Sequence, residues 1–282
     1  MLSIALAIGF ALFLWWFATG LILFLDGLPK RTFRWSMLVA SAILVLALAG
    51  LWLTRDTTTV AGAYLAFTFA ILIWGWNEMA FLMGIITGPR KTESPPGVTG
   101  WTRTRHAIAA IIYHEIAIVL SGAAVYLATM GGDNRIGILT FAVLWAMRLS
   151  TKLNLHLGVP NHAAEFLPDH LRYLQSWFTT RAINPLFPIS ITVSTLVLAY
   201  VAMIVADPLA SDFEVAGYGL VAALLALAIL EHWFLVLPIP VIKMWSWGLS
   251  SRSPRLLRSA RLAASRASLS ARHAIPSLWR RS

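Results

Sequence analysis

The side chains best suited to chemistry gather in one stretch, Asn154–Phe178, which reads NLHLGVPNHAAEFLPDHLRYLQSWF and carries His156, His162, Glu165, Asp169 and His170. His162 and Glu165 are three residues apart, so on a helix they share a face. More ionisable groups interrupt the apolar runs on either side: Asn77 with Glu78, His114 with Glu115, Arg148, and Glu231 with His232. A charge at membrane depth costs roughly 2.5–3.5 kcal/mol even on the mildest scale, so such residues call for a functional reading first. Carboxylate oxygens and imidazole nitrogens converging from several helices are what a non-haem iron or manganese site takes. The expected ligand set is Glu78, His114, Glu115, His162, Glu165, His170, Glu231 and His232, for one or two metal ions, with His156 as a spare. Di-metal bundles pair a Glu with a His three residues later, and this chain has the reverse order at 162 and 165.

Other readings compete on the same residues. Glu78, Glu115 and Arg148 would also serve as an ion-pair cluster holding a bundle together. A His within a span can simply bond a neighbouring helix, or act as axial ligand to the magnesium of a bacteriochlorophyll, by analogy with haem ligation. No Gly-rich phosphate loop and no Ser nucleophile arrangement is present. The absence of Cys excludes disulfides, thiolate metal sites and thiol nucleophiles.

The elements that must position these groups are membrane helices. Of the 282 residues, 59% are hydrophobic and only 12% charged, with 13 Trp. A soluble domain is nearer half apolar and a quarter charged. About 20 apolar residues cross the hydrocarbon, and seven segments qualify: about 3–25, 35–54, 60–87, 106–130, 136–156, 187–206 and 214–237. The fold expected is an all-α bundle of about seven transmembrane helices. The first run lacks a basic n-region and reads as a retained helix. Trp15, Trp16, Trp35, Trp52, Trp101, Trp245 and Trp247 fall near predicted ends, as interfacial aromatics do. Residues 168–179, opened by Pro168, predict a short surface helix. Counted along these spans, Glu78, His114–Glu115 and Glu231 lie roughly 10–15 Å below the same edge.

Charge supplies an orientation. Lys30, Arg31 and Arg34 occupy the first loop, Arg90, Lys91, Arg103 and Arg105 the third, and Arg172 and Arg181 the fifth, with Lys152 just before it. The alternate loops are poor in Lys and Arg. By the positive-inside rule the N-terminus is outside and the C-terminus cytoplasmic. The formal charge of +10 belongs to the end of the chain: no Asp or Glu follows Glu231, and nine Lys and Arg do. The division expected is a membrane domain, 1–248, and a basic tail, 249–282. Arg252, Arg255, Arg258 and Arg261 recur every third residue there and suit an amphipathic helix on anionic lipid before nucleic acid.

The run 154–178 resembles the signature of the photosynthetic complex assembly protein 2 family of purple photosynthetic bacteria. ALFLWWFATGLIL near the N-terminus and the segment around HEIAIVLSG are similar to it as well. Glu165, Phe166, Leu167, Pro168, His170, Leu171, Arg172 and Tyr173 fit the family pattern as they stand, and His162 departs from it. The resemblance covers residues 1 to about 248. It implies a multi-pass protein of the bacterial inner (intracytoplasmic) membrane, encoded near the reaction-centre H subunit. Its implied role is building the photosynthetic apparatus or modulating bacteriochlorophyll supply, with reaction-centre or light-harvesting polypeptides and pigment as partners. Two functions follow for test: such an assembly factor, or a membrane di-metal oxidoreductase acting on a tetrapyrrole or isoprenoid intermediate. A transporter is the weaker third, since neither an internal repeat nor a matched pair of broken helices is visible.

Overall fold

A computed structural model describes residues 2–252 of the chain. Of the expected tail, Arg255, Arg258 and Arg261 lie outside the described residues; Arg252 is described, and it is buried in an ion pair with Asp26 and does not line a surface helix. Seven helices are long and apolar enough to cross a bilayer: α1 (Leu2–Asp26), α2 (Phe33–Thr54), α3 (Val60–Leu82), α4 (Gly100–Thr129), α5 (Ile136–Leu157), α6 (Leu186–Ala206) and α7 (Asp212–Phe234). No strand occurs among the described residues, and the chain is a seven-span helical membrane protein.

Side-chain size decides which helices sit in the middle. Between lipid-like helices no hydrophobic drive exists, so close packing must hold them, and small residues permit it. α3 carries Gly62, Ala63, Ala66, Ala70 and Ala80 among its buried positions, and α7 carries Ala216, Gly217, Gly219 and Ala223. A methyl group on Gly217 would reach to 2.5 Å from the Ile136 side chain of α5, which fills the space the glycine leaves. α3 and α7 are accordingly the most buried helices; α1 and α5 flank them, α4 packs on α5, α2 on α3 and α6 on α7. α2 and α6 leave most of their apolar surface facing outward.

The third span ends earlier than the apolar run predicts. After Leu82 the chain makes a Schellman turn: Gly84 has φ +73°, its N–H donates to Phe81 O (2.8 Å), and Ile85 N–H donates to Ala80 O (3.0 Å). Residues 85–90 then run back along α4 without helical structure. Their backbone is satisfied there: Thr87 O accepts from His114 N–H (3.0 Å) and Ala109 O accepts from Arg90 N–H (3.2 Å). Irregular backbone at membrane depth is tolerated only where protein covers it, and Thr87 and Gly88 are buried. A Cβ on Gly88 would overlap the Ala109 carbonyl. The fourth helix, for its part, begins at Gly100, ahead of the expected 106.

Two further segments close the same end of the bundle. The predicted surface helix exists as a 3₁₀ helix, Asp169–Trp177, with Pro168 preceding it and Leu171, Leu174 and Trp177 buried against Phe81 and Ala110. Residues 241–252 form 3₁₀ turns along α1. There Trp245 and Trp16 exchange indole-to-carbonyl hydrogen bonds (Trp245 Nε1 to Trp16 O, 3.0 Å; Trp16 Nε1 to Met244 O, 2.8 Å). Trp245 is thus buried in a protein contact, whereas Trp35, Trp52 and Trp101 are exposed. The packed chain continues through Arg252. Its guanidinium reaches Asp26 (3.0 Å) and the carbonyls of Glu165 and Phe166 (both 2.9 Å), tying α1, the fifth loop and this strap together.

Gly88→Ala must push α4 away from the 85–90 segment, so it is expected to destabilise by about 1–3 kcal/mol, the usual range for overpacking. Thermal unfolding in detergent checks this, with Gly9→Ala, whose surroundings are open, as the unaffected control.

Candidate functional site

The intramembrane ionisable groups meet near the end closed by these segments, and α5 organises them. Arg148 and Lys152 are four residues apart on one face of that helix. Arg148 Nη2 contacts Glu78 Oε2 of α3 at 2.8 Å, and Lys152 Nζ contacts Glu115 Oε1 of α4 at 2.6 Å. The Glu78, Lys152 and Glu115 side chains are mostly buried, and Arg148 is more open. Lys152 also lies within electrostatic reach of Glu78 and Arg148. One helix therefore presents both cations to acids on two neighbours.

Glu231 of α7 completes the layer differently. Its Oε1 accepts a hydrogen bond from Trp15 Nε1 of α1 (2.9 Å), and it lies within electrostatic reach of Arg148 and Glu78 without a contact ion pair among the described residues. Glu231 is nevertheless exposed. Three acids face two cations, and Glu231 is the acid left over.

The histidines divide. His114 is fully buried with its ring 4.4 Å from that of Phe81, and neither ring nitrogen has a hydrogen-bond partner. His232 is also fully buried, but both nitrogens are engaged. A carbonyl can only accept, so Nδ1–H donates to Ala228 O (2.9 Å), and Nε2 is left to the Ser150 hydroxyl (2.9 Å). The fifth-loop residues do not join the layer. His162 Nε2 donates to Thr179 O (3.0 Å) and His170 Nε2 to Leu82 O (2.9 Å), while Glu165 is exposed. His162 and Glu165 do not share a helical face: Ala163 between them has φ +46° and only 164–166 forms a 3₁₀ turn. His156 is held by Thr104 (3.0 Å) and Arg103 (3.4 Å).

The structure thus gathers Glu78, Glu115 and Glu231 with Arg148 and Lys152, places His114 beside them, and leaves His162, Glu165 and His170 to loop packing. Among the described residues no three His, Asp or Glu side chains are placed to hold one metal ion. The donors do not fit such a centre as arranged: two of the three carboxylates already pair with cations, and the third takes an indole N–H. Glu78 and Glu115 lie at a common level, since they meet Arg148 and Lys152 one turn apart on α5.

Two residues with large structural roles were hidden in the sequence. Asp26, at the end of α1, is buried against Arg252. Arg103 donates to the carbonyls of Trp177 (2.6 Å) and Phe178 (3.3 Å) and so pins the fifth loop to α4. The signal for Asp26 was an acid directly after an apolar run, with Lys30 and Arg31 close by as the local candidates for its partner. Its partner lies 226 positions on, beyond any local rule.

These features define a polytopic helical membrane protein with an internal charge network and a lidded end. Residues 1–255 match the family described as "Protein of unknown function (DUF3623)", and the chain belongs to it. It is also 37% identical, over 85% of its length and 89% of the relative's, to a protein of Rhodobacter capsulatus named "Uncharacterized 30.4 kDa protein in puhA 5'region". No solved structure matches the chain.

Removing one partner of a largely buried ion pair strands the other charge, at about 3–5 kcal/mol. Lys152→Met should therefore lower stability in detergent clearly more than the double change Lys152→Met with Glu115→Gln, which strands nothing. A double-mutant cycle by thermal unfolding reads the difference. A second prediction concerns pH. Burial holds His170 below its usual value near 6.5, more than its bond to Leu82 O raises it. Above about 6.5 the ring is neutral folded and unfolded, and its docking contribution is complete. On acidification the unfolded loop takes up a proton that the folded one resists, and that stability is lost. Hydrogen exchange over 169–177 should accelerate from pH 7.5 to 5.5 beyond the intrinsic change, and His170→Gln should flatten the dependence.

Proposed function

We propose that this protein is a membrane-embedded factor in the biogenesis of the bacterial photosynthetic apparatus. In this reading it works by lateral contact with reaction-centre or light-harvesting polypeptides, or with their bacteriochlorophyll. The observation that carries the reading is the relative's position in the puhA 5′ region of a photosynthetic bacterium, the kind of neighbourhood that the resemblance in residues 154–178 implies. The outward apolar faces of α2 and α6 support it, because they offer broad surfaces for a partner within the bilayer. The pairing of the intramembrane acids supports a scaffold as well: Glu78 and Glu115 stiffen the bundle, and Glu231 accepts from the Trp15 indole of α1 while its surface stays exposed. The proposed setting is the inner (intracytoplasmic) membrane, with the N-terminus outside and the basic loops, lidded end and basic tail in the cytoplasm.

Deletion of the gene in the bacterium that makes the protein is expected to lower reaction-centre or light-harvesting absorbance while leaving other membrane complexes intact. Gentle purification from the same membranes should retain pigment or a subunit of those complexes. A deletion strain with unchanged spectra, together with colourless and partnerless protein, would reject the reading.

A further inference from the structure

A second feature of the lidded end lies outside the charged layer. Pro89, Arg90, Lys91, Thr92, His106 and Ala109 line an open pocket of about 340 Å³. We propose that it binds a phosphate group, carried by an anionic lipid headgroup or by a soluble phosphate ester.

The pocket is built on fixed backbone. Gly88 lies directly on the Ala109–Ala110 backbone, and Arg90 N–H bonds Ala109 O, so the segment bearing Arg90, Lys91 and Thr92 is fastened to the wall bearing His106. The Arg90 guanidinium sits over the Trp177 ring at 5.5 Å. Stacking leaves the in-plane N–H groups of an arginine free for an oxyanion. Its Nε is buried without a partner, and so is His106 Nδ1, whose ring stands edge-on to the same Trp177 at 6.2 Å. Such buried orphans call for a ligand or solvent.

Charge points to the ligand's sign. Neither Arg90 nor Lys91 forms an ion pair among the described residues, whose pairs lie elsewhere. Glu93, the nearest acid in sequence, is exposed. The chain beyond Glu231 has no acidic side chain to offer. A fork of guanidinium donors beside an ammonium and a threonine hydroxyl suits phosphate oxygens.

Position points to the source. From Ala107 to Thr129, α4 runs about 23 residues, or about 35 Å, slightly more than the roughly 30 Å of hydrocarbon. His106 therefore stands where the hydrocarbon gives way to headgroups. The volume is at the low end of the roughly 300–1,000 Å³ of small-molecule sites, and its open side leaves the rest of a lipid free to lie along the helices.

The test uses full-length protein in a neutral detergent, with short-chain phosphatidylglycerol, short-chain phosphatidylcholine and glycerol phosphate as probes. Hydrogen exchange locates binding apart from the basic tail. Phosphatidylglycerol is expected to protect residues 88–92 and 104–110, and phosphatidylcholine much less. Arg90→Gln and Lys91→Gln should each raise the concentration needed by about tenfold, the loss of one charge-assisted hydrogen bond. Arg90→Lys should recover part of it, and Arg55→Gln, in the α2–α3 loop, should change nothing. Lys91 is exposed, so its variant keeps the fold testable. Glycerol phosphate protecting the same residues at similar concentration would assign the site to a soluble ester. No protection by either anion, or unchanged protection in Arg90→Gln and Lys91→Gln, overturns the proposal.

Discussion

A charge at membrane depth must find its opposite inside the protein, and the described structure turns on α5 meeting that demand. Arg148 and Lys152, one helical turn apart, draw Glu78 of α3 and Glu115 of α4 onto the same helix. Each contact crosses between helices, so the ion pairs fix the rotation of three helices about their axes and not merely their proximity. Apolar packing alone specifies rotation weakly, because one Leu-rich face is much like another. Small residues let α3 and α7 approach closely, and the charges decide which faces meet.

The end of the bundle next to this layer is built from backbone that is not α-helical. The 85–90 segment, the 3₁₀ helix 169–177 and the strap 241–252 each leave peptide groups that lipid could not satisfy. They solve this by bonding one another and the helices: Thr87 O to His114 N–H, Leu82 O to His170, and the Glu165 and Phe166 carbonyls to Arg252. Histidine and arginine serve here as hydrogen-bond donors to carbonyls.

Much of this was legible from one-dimensional pattern. Seven apolar runs of membrane-spanning length, a surface helix opened by Pro168 and intramembrane acids at a common end follow from hydropathy and spacing. These properties depend only on neighbours within a few turns. The error at the third span has a local cause as well. Ile85, Ile86 and Thr87 continue the apolar run after Leu82, and the stop signal of Gly84 followed by Gly88-Pro89 was outweighed by hydropathy. Bilayer solubility and helicity are different properties, and an apolar stretch can be the first without the second.

An ion-pair cluster of Glu78, Glu115 and Arg148 was open to the sequence, but not which acid meets which cation, because pairing joins residues far apart in the chain. Glu78 meets Arg148 across 70 positions, Lys152 meets Glu115 across 37, and Asp26 meets Arg252 across 226. The amino-acid order alone determined that these groups lie at membrane depth or at its edge, since that follows from the apolar residues around each. Tertiary packing alone decided that acids would be answered by α5 cations and an indole, and loop histidines by carbonyls. A carboxylate or an imidazole serves equally well as metal ligand, ion-pair partner or hydrogen-bonding group, and only the atom that arrives opposite it chooses among them.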